Sequence, residues 1–141
     1  MSVAAEIARS WIGTPYVHQA SCRGAGTDCL GLVRGVWREL FGAEPLEVPP
    51  YTPDWSEPTP EEVLWDTAKR LLVARPLEEV AQGRILLFRM RESGIAKHLG
   101  IATGGERFIH AYSGHGVIES VLSRPWQRRL VAVFDFPQGG Q

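Results

Sequence analysis

The sequence has only two cysteines, two methionines and no long apolar run. Two cysteines cannot build the disulfide framework of a small secreted scaffold. No stretch approaches the roughly 20 apolar residues that a membrane span requires, so no membrane insertion is expected. An excess of charge is also missing, the net charge being −1. Nucleic acid is therefore not an expected partner, because phosphate binding needs a concentrated basic surface. The one basic run, Arg124 to Arg129, is interrupted by Pro125 and Trp126 and reads as a solvated approach to a strand. Met1 to Trp11 carries Glu6 and Arg9 in an amphipathic pattern and lacks the continuous apolar region of a signal peptide. Synthesis in the cytoplasm, without a cleavable leader, is the expectation.

What is present suits a globular chain. Its 141 residues fit one domain, at roughly 100–200 residues per domain, and can bury a core without disulfides or metals. Val3, Ile7 and Trp11 recur at helical spacing and predict a short helix, ended by Gly13-Thr14-Pro15. Tyr16 to Thr27 is a loop. A second helix is predicted from Cys29 to Phe41, with Leu30, Val33, Trp37 and Leu40 on one face, Thr27 or Asp28 as cap, and Gly42 as stop. Ala43 to Pro60 holds six of the ten prolines and reads as an irregular insert. Pro60-Glu61-Glu62 opens a further helix to about Leu72. From Gly83 the pattern changes to strands at Arg84–Met90, Ala96–Thr103, Arg107–Tyr112, Gly116–Val121 and Leu130–Phe136, before a flexible tail at 137–141. Helices followed by consecutive strands with short turns predict an α+β fold, the helices packed on an antiparallel sheet of about five strands.

Chemistry gathers around Cys29. In Thr27-Asp28-Cys29-Leu30-Gly31 a polar, glycine-rich stretch turns into a helix. A thiol at a helix start meets unpaired N–H groups and the positive end of the helix dipole, which favour a thiolate. A cysteine nucleophile also needs a base, and the base an orienting partner. Of the four histidines, His98 and His110 are equidistant from Gly104 in the turn Thr103-Gly104-Gly105. A three-residue loop would set them directly opposite on one face, whereas a two-residue loop would pair His98 with Ala111. The His98 face also carries Gly100 and Ala102, which would let the Cys29 helix pack closely there. His98 is then the candidate base and His110 its orienter. His18 and His115 read as surface or pocket-rim residues, and Cys22 as a loop residue. Cys22 and Cys29 are separated by six residues, outside the usual zinc-ligand spacing of about two to four. Neither metal nor cofactor is called for.

These segments resemble the NlpC-type cell-wall cysteine peptidases. The resemblance rests on Gly26-Thr27-Asp28-Cys29-Leu30-Gly31-Leu32-Val33, Lys97-His98-Leu99-Gly100-Ile101-Ala102-Thr103-Gly104, Phe108-Ile109-His110-Ala111 and the upstream Gly13-Thr14-Pro15-Tyr16. It covers about Val3 to Phe136 and is nearest to a compact subgroup found in phage-tail and gene-transfer-agent gene sets. It implies a papain-like fold, with Cys29 as nucleophile, His98 as base and His110 as third residue. It further implies Tyr16 at the oxyanion region or an adjacent subsite and Asp28 beside the substrate. The implied substrate is a peptidoglycan stem peptide, cut between D-γ-glutamyl and diaminopimelate. The implied setting is a tail particle reaching the periplasmic wall, with tail or baseplate hub proteins as partners. Leu30 stands where many members have the serine that helps recognise the peptide. The rival expectation is a structural tail-tip or hub component with this fold and little or no hydrolase activity.

Overall fold

The computed structural model describes residues 2–45, 62–92 and 94–137. Most of the proline-rich insert, the Pro60-Glu61 helix opening and nearly all of the expected tail lie outside the described residues. The first helix, α1 (Val3–Arg9), starts where the Ser2 hydroxyl accepts from the Ala5 N–H at 3.1 Å. It ends two residues earlier than periodicity predicts, and Trp11 follows it in a turn but is still buried. Short strands β1 (Ser21–Cys22) and β2 (Gly26–Thr27) form a hairpin in the loop that follows.

Helix α2 (Cys29–Phe41) has the expected bounds, because both end signals act as read. Asp28 caps it, its Oδ1 accepting from the Gly31 N–H at 2.7 Å, and Gly42 stops it at φ 92°. The deeply buried face is not the predicted one. Cys29, Leu32 and Val36 point inward with Val33, while Leu30, Trp37 and Leu40 are only partly buried. The helix is enclosed on two sides: the Trp11 indole lies where a Cβ on Gly35 would sit, and β5 lies on another flank.

After α3 (Val63–Leu71) come β3 (Val73–Arg75), β4 (Ile85–Arg89), β5 (Ala96–Gly104), β6 (Arg107–Tyr112), β7 (Gly116–Val121), α4 (Arg124–Arg129) and β8 (Leu130–Asp135). The last six strands form one antiparallel sheet in the order β3-β8-β4-β5-β6-β7. The sixth strand, beyond the five expected, is the short exposed edge β3. Arg124–Arg129, expected to be an approach to a strand, is instead a one-and-a-half-turn helix with Pro125 in its first turn.

The sheet separates two cores. Ile85, Leu87, Leu99, Ile101 and Ile109 pack with Trp11, Leu32 and Val36. Leu86, Phe88, Ala102, Phe108 and Val133 pack on the other side, partly under Trp126. Each fully buried Leu or Ile contributes roughly 1.5–3 kcal/mol, so both faces hold the sheet in place. The alternation assigns His98 and His110 to the second face, with Phe88 and Phe108. That corrects the expectation that Gly100 and Ala102 make room for α2, which packs against the opposite face.

Candidate active site

The β5–β6 hairpin sets the histidine geometry. Gly105 and Glu106 both adopt positive φ, 60° and 59°, as a two-residue turn between right-twisted strands requires. A bulge between Ala102 and Gly104 then shifts the ladder, pairing Ile101 with Ile109 and Ala102 with Phe108. Continued along the strands, this register sets His110 opposite Gly100, not opposite His98. Neither predicted pairing holds, since His98 faces neither His110 nor Ala111. The expected shared face does hold, because the offset is two residues.

The diagonal still brings the rings together. His98 Nε2 and His110 Nδ1 are 2.7 Å apart, with the ring planes at 76°. Gly100 is what lets them meet: a Cβ there would stand 2.7 Å from the Phe108 ring and 3.4 Å from the His110 Cβ. The other nitrogen of His110, Nε2, lies 2.9 Å from Ser120 Oγ.

Cys29, His98, Tyr16 and Asp28 line one pocket with His18, Lys97 and Tyr112. The structure thus brings together the predicted nucleophile, base and oxyanion candidates, while His110 stands behind His98. The Cys29 thiol donates a long bond to the Lys97 carbonyl, at 3.7 Å. Asp28 already holds two backbone groups: Gln19 N–H donates to its Oδ2 at 2.7 Å, and Gly31 N–H to its Oδ1. Asp28 therefore clamps the loop to the helix start and shapes the pocket wall. Both cysteines are free thiols, Cys22 exposed and Cys29 buried. Among the described residues no group of three or more His, Cys, Asp or Glu side chains is placed to hold a metal ion.

The thiol and both imidazoles are uncharged at rest. Burial, reinforced by the neighbouring Asp28 carboxylate, pushes the Cys29 thiol up to about 12, against the opposing pull of the Leu99, Leu30 and Cys29 N–H groups. The expected easy thiolate is thereby corrected, since the backbone dipoles act but desolvation outweighs them. Burial, with His110 beside it, lowers His98 to about 3, and burial with His115 nearby lowers His110 to about 4. Tyr16 is pushed up to about 12, mainly by burial and then by Cys29 and Asp28, so it keeps its phenolic proton as a hydrogen-bond donor.

Three residues that shape the site were not singled out from the sequence. Trp126, delivered by α4, stacks on His98 at 5.5 Å and meets His110 edge-on at 5.1 Å. Tyr112 stacks on His110 at 5.3 Å. Ser120 completes the line from His98. For Tyr112 and Ser120 the signal was available: strand alternation and the hairpin centred on Gly114 put both on the His110 face. Trp126 had no such signal, because its position depends on where α4 packs.

Comparison with known proteins finds relatives in both sequence and fold. The chain is 32% identical over 120 residues to the murein DD-endopeptidase MepS/murein LD-carboxypeptidase of Escherichia coli K12, covering 84% of this chain and 54% of that one. It is 27% identical over 130 residues to a gamma-DL-glutamyl hydrolase of Bacillus subtilis, covering 92% of this chain and 28% of the relative. The chain thus spans about half the length of the first of these curated relatives, and less of the second. The solved NlpC/p60 domain of the peptidoglycan hydrolase SagA superposes with a TM-score of 0.66 at 21% identity, covering 94% of this chain and 96% of that domain. An NlpC/P60 family protein from Bacillus cereus gives a TM-score of 0.67 at 19% identity, covering 96% and 41%. These structures share the fold, helices on an antiparallel sheet in the papain-like manner. Residues 13–135 match the NlpC/P60 family, and with the fold in agreement the chain belongs to that family.

Proposed function

We propose that this chain is a cysteine endopeptidase acting on peptidoglycan stem peptides, with Cys29 as nucleophile, His98 as base and His110 as the residue that orients it. The observation that carries the reading is the shared pocket of Cys29 and His98, with the His98–His110 contact of 2.7 Å behind it. His98 uses Nε2 toward His110, which leaves Nδ1 to exchange a proton with the thiol. Because thiol and imidazole are both neutral at rest, the proton leaves Sγ as the sulfur attacks the substrate carbonyl. The Cys29 N–H, in the first turn of α2, and the Tyr16 hydroxyl are the donors proposed for the oxyanion. The tetrahedral adduct collapses to a thioester, the leaving amine takes the proton from His98, and a water deprotonated by His98 then releases the acyl group. No step needs a metal or cofactor.

The bond proposed is that between D-γ-glutamyl and diaminopimelate. The relative named as a murein endopeptidase supports peptidoglycan as the substrate class, and the one named a gamma-DL-glutamyl hydrolase is consistent with a glutamyl bond. We further propose one peptidase domain over residues 1–141. Its proposed setting is a phage tail or gene-transfer particle, held by hub proteins, that acts on the periplasmic wall. Incubation of purified sacculi with wild-type and Cys29→Ala protein tests the chemistry. Wild type should release stem fragments visible by mass spectrometry, and Cys29→Ala, folded, should release none. Equal release by the two proteins would refute the mechanism.

A further inference from the structure

His110 lies between two partners, with Nδ1 2.7 Å from His98 Nε2 and Nε2 2.9 Å from Ser120 Oγ. A neutral imidazole carries one proton, and a hydroxyl can donate or accept. Such a line has only two polarities. In one, Ser120 O–H donates to His110 Nε2, His110 Nδ1–H donates to His98 Nε2, and His98 holds its own proton on Nδ1. That tautomer cannot accept from the Cys29 thiol. In the other, His98 Nε2–H donates to His110 Nδ1, and His110 Nε2–H donates to Ser120 Oγ. The Nδ1 lone pair of His98 is then available.

The reaction itself selects between them. Once His98 has taken the thiol proton it carries N–H on both nitrogens, so His110 must accept at Nδ1 and donate at Nε2. Only an acceptor beyond Nε2 satisfies that arrangement, and without one the buried N–H is orphaned. We infer that Ser120 is a positioning residue, which accepts from His110 Nε2–H and so holds His98 in the tautomer whose Nδ1 lone pair is free to take the thiol proton. No proton passes to Ser120: the Sγ–H bond breaks as the S–C bond forms, an Nδ1–H bond forms on His98, and the positive charge stays on that ring, balanced by the oxyanion of the adduct. A hydroxyl also ends the line without adding charge, unlike a carboxylate.

This inference rests on the proposed role of His98. Long-range ¹H–¹⁵N spectra of the histidine rings in the full chain test it, read alongside turnover of sacculi. The wild-type and Cys29→Ala proteins should both show Nε2–H tautomers at His98 and His110. Ser120→Ala should lower kcat roughly ten- to hundredfold, leave KM unchanged and change the His98 and His110 ring signals. Ser120→Thr, which keeps the hydroxyl on a strand, should restore both readouts. An Nδ1–H tautomer at His98 in the wild type, or wild-type kcat in Ser120→Ala, overturns the inference. A wild type that releases nothing from sacculi would instead count against the proposed function, and the ring tautomers, readable without turnover, would then alone decide the role of Ser120.

Discussion

Nε2 of His98 lies 2.7 Å from Nδ1 of His110 although the two residues are diagonal across the β5–β6 ladder, not opposite. Direct opposition would have brought the two Cβ atoms to about 4.5–5.5 Å, whereas a diagonal pair stands about 7–8 Å apart at Cα, within reach of long or aromatic side chains. The offset gives two imidazoles room for an edge-on hydrogen bond at 76°. Both rings are buried, and burial is what makes them poor bases at rest.

That burial predicts a stability change in mild acid. The folded-state values of about 3 for His98 and about 4 for His110 lie below the unfolded value of about 6.5. The unfolded chain therefore binds more protons as pH falls below about 6.5. The contribution of the two rings to stability is complete above that pH, and is lost as pH falls toward about 4 and about 3. Each ring can cost up to about 1.4 kcal/mol per pH unit in that window. Urea unfolding between pH 7.5 and 5 should show the loss, and a His98→Gln, His110→Gln double variant should flatten it. Stability of the wild type that does not change over this range would contradict the burial argument.

Cys29 carries the opposite electrostatic signature. With the thiol pushed up to about 12 by burial and then Asp28, alkylation by iodoacetamide in the absence of substrate should be slow at pH 7 and still rising at pH 10. The exposed Cys22 should label first. Peptide mapping after timed alkylation separates the two sites. Preferential labelling of Cys29 at neutral pH would mean that the helix dipole prevails over desolvation after all.

Gly100 offers a test of the diagonal. A methyl group there would meet the Phe108 ring at 2.7 Å and the Ile109 carbonyl oxygen at 3.1 Å. Phe108 is fully buried, so its ring cannot move aside freely. Gly100→Ala should therefore cost about 1–3 kcal/mol by overpacking, and displace His110 from His98. A thermal melt measures the first effect. Stem-fragment release relative to the remaining folded fraction measures the second. Unaltered stability and release would show that the hairpin tolerates the extra carbon.

What was legible in the sequence was local. Asp28 and Gly42 bound α2 because a cap and a left-handed stop act within one turn of chain. Strands β6 and β7 have their expected bounds, with turn residues on either side. The face shared by His98 and His110 was expected from a three-residue loop, but it arises from a two-residue turn whose odd parity the one-residue bulge before Gly104 restores to even. The thiol's proton affinity was not readable. A helix start is visible in sequence, but the burial of Cys29 against β5 depends on the tertiary packing of α2. The position of α4 was hidden for the same reason: Arg124–Arg129 has no buried residue of its own, and Trp126 packs it against the second core.

Trp126 is therefore the residue whose removal says most about how the histidines are tuned. It stacks on His98 at 5.5 Å, meets His110 at 5.1 Å, and touches Phe88 and Phe108 edge-on at 5.1 and 5.3 Å. Full truncation of a core Phe or Trp costs about 3–5 kcal/mol, and Trp126 is only partly buried, so Trp126→Ala should cost roughly 2 kcal/mol. Opening this side to water would relax desolvation, the leading cause of the low values at His98 and His110. Both rings should then titrate closer to 6.5, and the mild-acid loss of stability should shrink, because folded and unfolded affinities for protons converge. Trp126→Phe keeps an aromatic cover and should stay near wild type in both respects. Ring titrations by NMR decide the matter: if Trp126→Ala leaves the histidine values where they were, strand packing alone desolvates the pair and α4 is only a cover.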